Sequence, residues 1–170
     1  AEEAFFDADF SPEPLALAVL GNFGVGKTTL GKLLCDRHPV NYGSENPPPA
    51  ILRMSLPAVA SPNNFLTRAL EETRDPLNAK GKTEQKTSRL KSRLKALNVK
   101  MLVIDEANHL IDIDNISILH QTTNLVKDIL KETNISCLII GLPYTEEVLR
   151  ANPQLGSLFS DPKYLEPFEY

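Results

Sequence analysis

The sequence predicts an α/β domain built on a parallel sheet, and three observations carry that reading. Apolar runs of strand length alternate with longer amphipathic stretches of helix length along the chain. The apolar runs are nearly unbroken, as strands covered on both faces require. One of them leads straight into a glycine-rich phosphate-loop pattern that opens a helix.

Each element has its own justification. Residues 1–14, AEEAFFDADFSPEP, carry five acids and two prolines and read as an acidic lead-in segment. Residues 15–22, LALAVLGN, are a short apolar run closed by Gly and Asn, hence a buried strand. KTTLGKLLCDRH places Leu30, Leu33 and Leu34 on one helical face, and Pro39 stops that helix. NYGSENPPP is a loop by composition, and residues 50–56, AILRMSL, form a second strand. Ser61 or Asn63 can cap a helix carrying Phe65, Leu66, Ala69 and Leu70. Over residues 83–97, Leu90, Leu94 and Leu97 give a narrow stripe on a very basic helix. MLVIDE, 101–106, is a buried strand running into two carboxylates. A long helix over 118–132 turns Leu119, Leu125, Val126, Ile129 and Leu130 inward. ISCLIIG, 135–141, is a strand ended by Gly141 and Pro143; a short helix over 146–150 and a last strand in KYLEPFEY follow. The pattern holds no internal repeat.

Composition bounds the function. With 170 residues, 42% hydrophobic and 24% charged, the chain matches one globular domain and excludes wholesale disorder. No apolar run nears the roughly 18 residues that span a bilayer, so no membrane partner is expected. The N-terminus lacks a basic n-region and an apolar h-region, and Cys35 and Cys137 cannot make a disulfide framework. A reduced, cytoplasmic protein is expected. Both cysteines read as small core hydrophobes. The net charge of −4 argues against nucleic-acid binding over the whole surface. The charge is uneven, however: Lys80, Lys82, Lys86, Arg89, Lys91, Arg93, Lys95 and Lys100 place eight of the 18 basic residues in one short segment.

Gly21-Asn22-Phe23-Gly24-Val25-Gly26-Lys27-Thr28 matches G-x-x-x-x-G-K-[ST], with a strand before it and a helix after it. Glycines let the backbone curl so that successive N–H groups face phosphate oxygens, and the helix start adds its positive dipole end. Lys27 reaches the β- and γ-phosphates of ATP, the Thr28 hydroxyl ligates magnesium, and Thr29 contacts the α-phosphate. A second group of ligands belongs at the end of a neighbouring strand, where open α/β sheets bind. Asp105 emerges there to hold magnesium, and Glu106 is placed to polarise the attacking water. The pair favours hydrolysis of ATP over phosphoryl transfer to a small molecule.

Taken together, GNFGVGKTT, MLVIDEANHL, LKETNISCLIIGLP and ANPQLGSLF resemble the TniB/TnsC family of AAA+ ATPases that regulate transposition, over roughly residues 15–170. The resemblance implies an AAA+ P-loop NTPase core with strand order 5-1-4-3-2 between layers of helices. It also implies ATP-dependent assembly into a homo-oligomer, a ring or filament, on duplex DNA. The implied partners are a transposase and a target-selecting protein. Three departures stand out. Leu158 occupies the place before Phe159 where the family usually has an arginine that meets a neighbour's nucleotide. Leu142 follows Gly141 where a Thr or Asn sensor is common, and the chain ends at Tyr170 without the helical lid. The first two predict slow hydrolysis, with Arg150 as a substitute trans arginine. The missing lid, with Ala1 in place of a starting Met, suggests a core-domain fragment.

Other signals read blandly. His38, His109 and His120 lack metal-ligand spacing. Asp112 and Asp114 lack the Gly and distal Glu of a calcium loop, and the sequons at Asn115 and Asn134 are chance matches in a cytosolic ATPase. The basic segment admits two readings: a solvated helix face, or phosphate contact with DNA without base stacking, since no aromatics interleave. In the family the preceding loop faces DNA, which singles out Lys80, Lys82 and Thr83. Three functions therefore compete: an ATPase whose nucleotide state sets assembly on DNA, a STAND-type signalling switch that reads proteins, and a degenerate nucleotide-binding scaffold without hydrolysis.

Overall fold

Strands β1 (Ala16–Gly21), β2 (Ala50–Ser55), β3 (Val99–Asp105), β4 (Ser136–Gly141) and β5 (Lys163–Leu165) form one sheet in the order β2-β3-β4-β1-β5. Every pairing in it is parallel. This is the expected order. The computed structural model describes residues 14–110, 116–151, 159 and 161–167. Asp112, Asp114, Asn115 and Leu158 lie outside the described residues. The helices are α1 (Lys27–Arg37), α2 (Pro62–Glu72), α3 (Thr83–Ala96), α4 (Ile116–Thr133) and α5 (Thr145–Ala151), with a 3₁₀ turn over Ala107–Leu110.

The unbroken apolar runs are explained by the layers. In β3 and β4 every residue is buried except Lys100 and Ser136, because helices cover both faces. On one face Val19, Ile51, Met101, Val103, Leu138 and Ile140 pack under α1 through Leu30, Leu34 and Cys35. On the other, Leu52, Met54, Leu102, Ile104 and Ile139 meet Phe65, Leu66, Leu90, Leu94, Ile129 and Leu130 of α2, α3 and α4. Leu33 departs from expectation. It is exposed, because the inward stripe of α1 runs through Leu30, Gly31, Leu34 and Cys35 and leaves position 33 rotated off it. Gly31 is buried there, and a Cβ on it would come 3.1 Å from Ile140 Cδ1. Burial pushes the Cys35 thiol up to about 11, against the attraction of Arg53, and the Cys137 thiol up to about 12, so both stay protonated.

Polar fastening joins α2 to α3. Ser61 caps α2 by accepting from the Asn64 N–H at 3.3 Å, with Pro62 in the first turn. The helix ends on left-handed Arg74, and the Asp75 N–H donates back to Leu70 O at 3.0 Å. The inward stripe of α3 begins one turn earlier than its leucines suggest, with Lys86. That side chain is buried and donates to Asn63 Oδ1 and Thr67 Oγ1, each at 2.8 Å. Burial pushes its ammonium below the ordinary lysine value, and Arg89 adds repulsion. Arg89 in turn holds the loop over residues 75–82, donating to Asp75 Oδ2 at 2.9 Å, to Leu77 O at 2.7 Å and to Lys80 O.

Asp75 makes this loop sensitive to acid. Burial alone would raise its pKa, but the Leu77 N–H and the Arg89 and Arg93 guanidiniums outweigh it and hold the carboxyl below its ordinary value of 3.8. A depressed folded pKa contributes stability that is fully present above pH 3.8 and is lost as the pH falls through the lower folded value. Replacing Asp75 by Asn should therefore lower stability at neutral pH and shrink the acid-dependent part of the unfolding curve below about pH 4. Denaturant titrations across pH 2–7 check this; an unaltered acid limb in Asp75→Asn would refute it.

Candidate nucleotide site

The carboxyl ends of β1, β3 and β4 lie side by side, because Leu20 pairs with Gly141 and Ile104 with Ile139. Above them is a cavity of about 240 Å³. Phe23, Gly24, Gly26, Lys27, Thr28 and Thr29 line it from the phosphate loop, Asp105, Glu106 and Asn108 from the end of β3, and Gly141 and Leu142 from the end of β4. Eight of the predicted residues thus meet around one space. Gly21, Asn22 and Val25 do not line it and instead carry the loop. Asn108, buried in the 3₁₀ turn, belongs to no motif and the sequence does not single it out.

The loop's shape depends on two glycines. Gly24 and Gly26 have φ of 79° and 91°, left-handed values that side chains disfavour. Gly26 is the N-cap of α1, and no side chain caps it or brings an acid to its first turn. The first N–H groups of α1 are therefore open to an anion at the positive end of the helix dipole. Lys27 Nζ donates to Asn22 O at 2.6 Å, which folds the ammonium back over the loop and leaves two further donors.

Asp105 and Glu106 differ sharply. The Asp105 side chain is 5% exposed, with Oδ1 accepting from the Glu106 N–H at 2.9 Å and Oδ2 from Arg53 Nη2 at 2.6 Å. Glu106 is exposed and has φ of 59°. Among the described residues the other left-handed non-glycines, Arg74, Asn98 and Asn134, all follow helix ends. Glu106 closes no helix, so its strain, of order 1–2 kcal/mol, is held at the cavity wall. Thr28 and Asp105 bring a hydroxyl and a carboxylate to the same space, the hard oxygen donors that magnesium takes. The donor set fits that ion.

The model of the family described as "Bacterial TniB protein" matches residues 3–170. The chain belongs to the TniB family. No curated protein matches its sequence. Among solved structures it is similar to the Aeropyrum pernix ORC1 protein in complex with DNA, at 18% identity and a TM-score of 0.70, over 98% of this chain and 43% of that one. It is also similar to the A. pernix ORC2 protein in ADPNP–ADP complexes, at 16% identity and a TM-score of 0.71, over 96% of this chain and 45% of that one. The TniB-family chain spans less than half the length of either. These likenesses show that its fold is the one shared by these two proteins.

The remaining predicted residues of this TniB-family chain fall outside the cavity. Arg150 is exposed, with Nε donating to Glu146 Oε1 at 2.7 Å; Glu146 also accepts from the Tyr164 hydroxyl. The basic segment divides in two. Lys86, Arg89, Lys91 and Arg93 are engaged internally, Lys91 with Glu132 at 2.6 Å and Arg93 with the Thr73 carbonyl. Lys80, Lys82 and Thr83 are exposed at the loop and the start of α3, where the Lys82 N–H donates to Gln85 Oε1 at 2.9 Å. His109 ties the 3₁₀ turn to the residue after β2 through Nδ1, 3.0 Å from Leu56 O.

A buried hydroxyl near the cavity is unaccounted for among the described residues. Thr145 Oγ1 is buried with no partner among the described residues under the turn after β4, so close that a Cβ on Gly141 would come within 2.6 Å of it. An unpaired buried hydroxyl costs stability that an isosteric methyl does not. Thr145→Val should leave stability unchanged or raise it by about 1 kcal/mol in a denaturant titration. A loss of about 1 kcal/mol or more would show that the hydroxyl has a partner.

Proposed function

We propose that this chain is the ATP-binding core of a regulator of DNA transposition. In this reading ATP drives its assembly on duplex DNA and couples target selection to a transposase. The observation that carries the nucleotide part is the single cavity in which the uncapped start of α1 and Lys27 face Asp105 and Glu106. The α1 N–H groups and Lys27 bind the phosphate chain. Asp105 and Thr28 would hold magnesium, which when bound would supply positive charge against that of the phosphates. Glu106 accepts a proton from the water that attacks the γ-phosphate in line, giving ADP and phosphate.

Hydrolysis is slow in this reading. Leu142, at 8% exposure, presents an apolar wall where a polar sensor would orient water. An arginine supplied in trans can be worth about 10³-fold or more in rate, and Leu158 lacks it. Arg150, held at the surface by Glu146, is the proposed substitute. The same Leu142 wall favours a second reading, a nucleotide-gated scaffold that assembles without turnover.

In the full protein, Lys27→Ala should weaken ATP binding by about 10- to 100-fold, the worth of a charge-assisted contact. Glu106→Gln should leave binding intact and cut turnover by about 10²- to 10⁴-fold. Calorimetry and phosphate release check both. Undiminished affinity in Lys27→Ala would sink the phosphate-loop reading, while no release by the wild type favours the scaffold.

DNA contact is assigned to Lys80, Lys82 and Thr83, and it is to phosphate rather than to bases. One acidic chain offers too few phosphate contacts for useful affinity, so binding requires repetition of the loop in an ATP-bound oligomer. Replacing Lys80 and Lys82 by Glu should abolish ATP-dependent duplex binding in a fluorescence anisotropy assay and spare nucleotide affinity. Wild-type binding should weaken steeply with salt. Retained binding in the double variant would move the DNA surface elsewhere, and no duplex binding under any nucleotide condition favours the protein-reading switch.

A further inference from the structure

Arg53 is a charged residue in the middle of the apolar strand β2. The register pairs Arg53 with Val103 and Ser55 with Asp105, so Arg53 lies two residues below the carboxylate, on the α1 face of the sheet. Its stem runs under α1 where Gly31 leaves room; a Cβ at Gly31 would come 3.5 Å from Arg53 Nε. The guanidinium places Nη2 2.6 Å from Asp105 Oδ2, whereas Nε is buried with no partner among the described residues. Such a group is not an optimised structural pair, in which a fork of donors meets both carboxylate oxygens. Here the second oxygen is taken by the Glu106 N–H at 2.9 Å.

We infer that Arg53 is a positioning residue that stands in for the divalent cation at Asp105, so that this carboxylate is shared between an internal guanidinium and magnesium. The inference rests on the nucleotide reading of the cavity. Asp105 is nearly inaccessible to water, and a buried carboxylate needs a counter-charge whether or not metal is present. Arg53 supplies it from within the sheet. Two consequences follow. Nucleotide binds appreciably without metal, because Asp105 is already neutralised and does not repel the phosphates. Magnesium adds less affinity than it would at an unpaired carboxylate, because a second cation is brought beside a fixed one.

The observable is the ratio of ADP dissociation constants measured in EDTA and in saturating magnesium, by calorimetry on the full protein. In Arg53→Met the metal-free affinity should fall while the affinity with magnesium is retained or improved. The ratio should then rise by about tenfold. Arg53→Lys keeps the charge and should hold the ratio near the wild-type value. A defect that is merely structural would weaken both affinities alike and leave the ratio unmoved. If Arg53→Met does not fold, Arg53→Gln, polar and of comparable reach, reads the same ratio. An unchanged ratio in the neutral variant, with ADP still bound, would overturn the role of Arg53 alone. Absence of ADP binding by the wild type in both conditions would overturn it together with the nucleotide reading.

Discussion

Burial of a parallel sheet on both faces is the constraint from which the rest of this structure follows. Beyond Lys100 and Ser136 at their amino ends, strands β3 and β4 run buried and apolar, so chemistry is displaced to their carboxyl ends. The register then decides what meets there. With β1 and β3 both flanking β4, the phosphate loop, the Asp105–Glu106 pair and the Gly141 turn converge on one cavity although they are far apart in the chain. The site is a consequence of strand order more than of any one motif.

The same constraint organises the charges. A basic residue cannot be buried in these layers without partners, and each one that is buried has found some. Lys86 binds two neutral oxygens between α2 and α3, and Arg89 gathers the carbonyls and the carboxylate of the loop before α3. Half of the basic segment is thus architecture, and through Arg89 it sets the position of the loop before α3. Lys80 and Lys82 are displayed on a loop fixed by Arg89, which limits the entropy lost if that loop meets a phosphate backbone.

Legibility in the sequence tracked the range of the interactions. The strand before Gly21, the helix after Lys27 and the carboxylates after MLVI can be read because each is a local pattern. Strand order is not a local property; it followed from resemblance. Arg53 could not be read as part of the site, because its partner lies 52 residues away and only register brings the two together. Lys86 reads as one more charge on a basic helix until α2 supplies Asn63 and Thr67. Leu33 misled for a related reason. Three leucines satisfied a helical period, but the face that is buried is set by how closely Gly31 lets α1 approach the sheet.

The balance of charge around the cavity separates binding from cleavage. Lys27 is the one basic side chain among the described residues that line it, and its ammonium also holds Asn22 O. Arg53 sits behind Asp105, and Arg150 is engaged with Glu146 at the surface. In the proposed reading Lys27 and the α1 amides alone complement the ground-state phosphate chain. In-line transfer needs more, because charge spreads over the equatorial oxygens of the moving phosphoryl group, and only contacts that strengthen there raise the rate. Glu106, proposed for the water side of that reaction, is held at the cavity wall by a strained backbone rather than by a helix end. For the leaving-group side, the described residues bring no second cation to the cavity wall. In the proposed reading such a wall, as far as the described residues show it, suits holding ATP better than cleaving it.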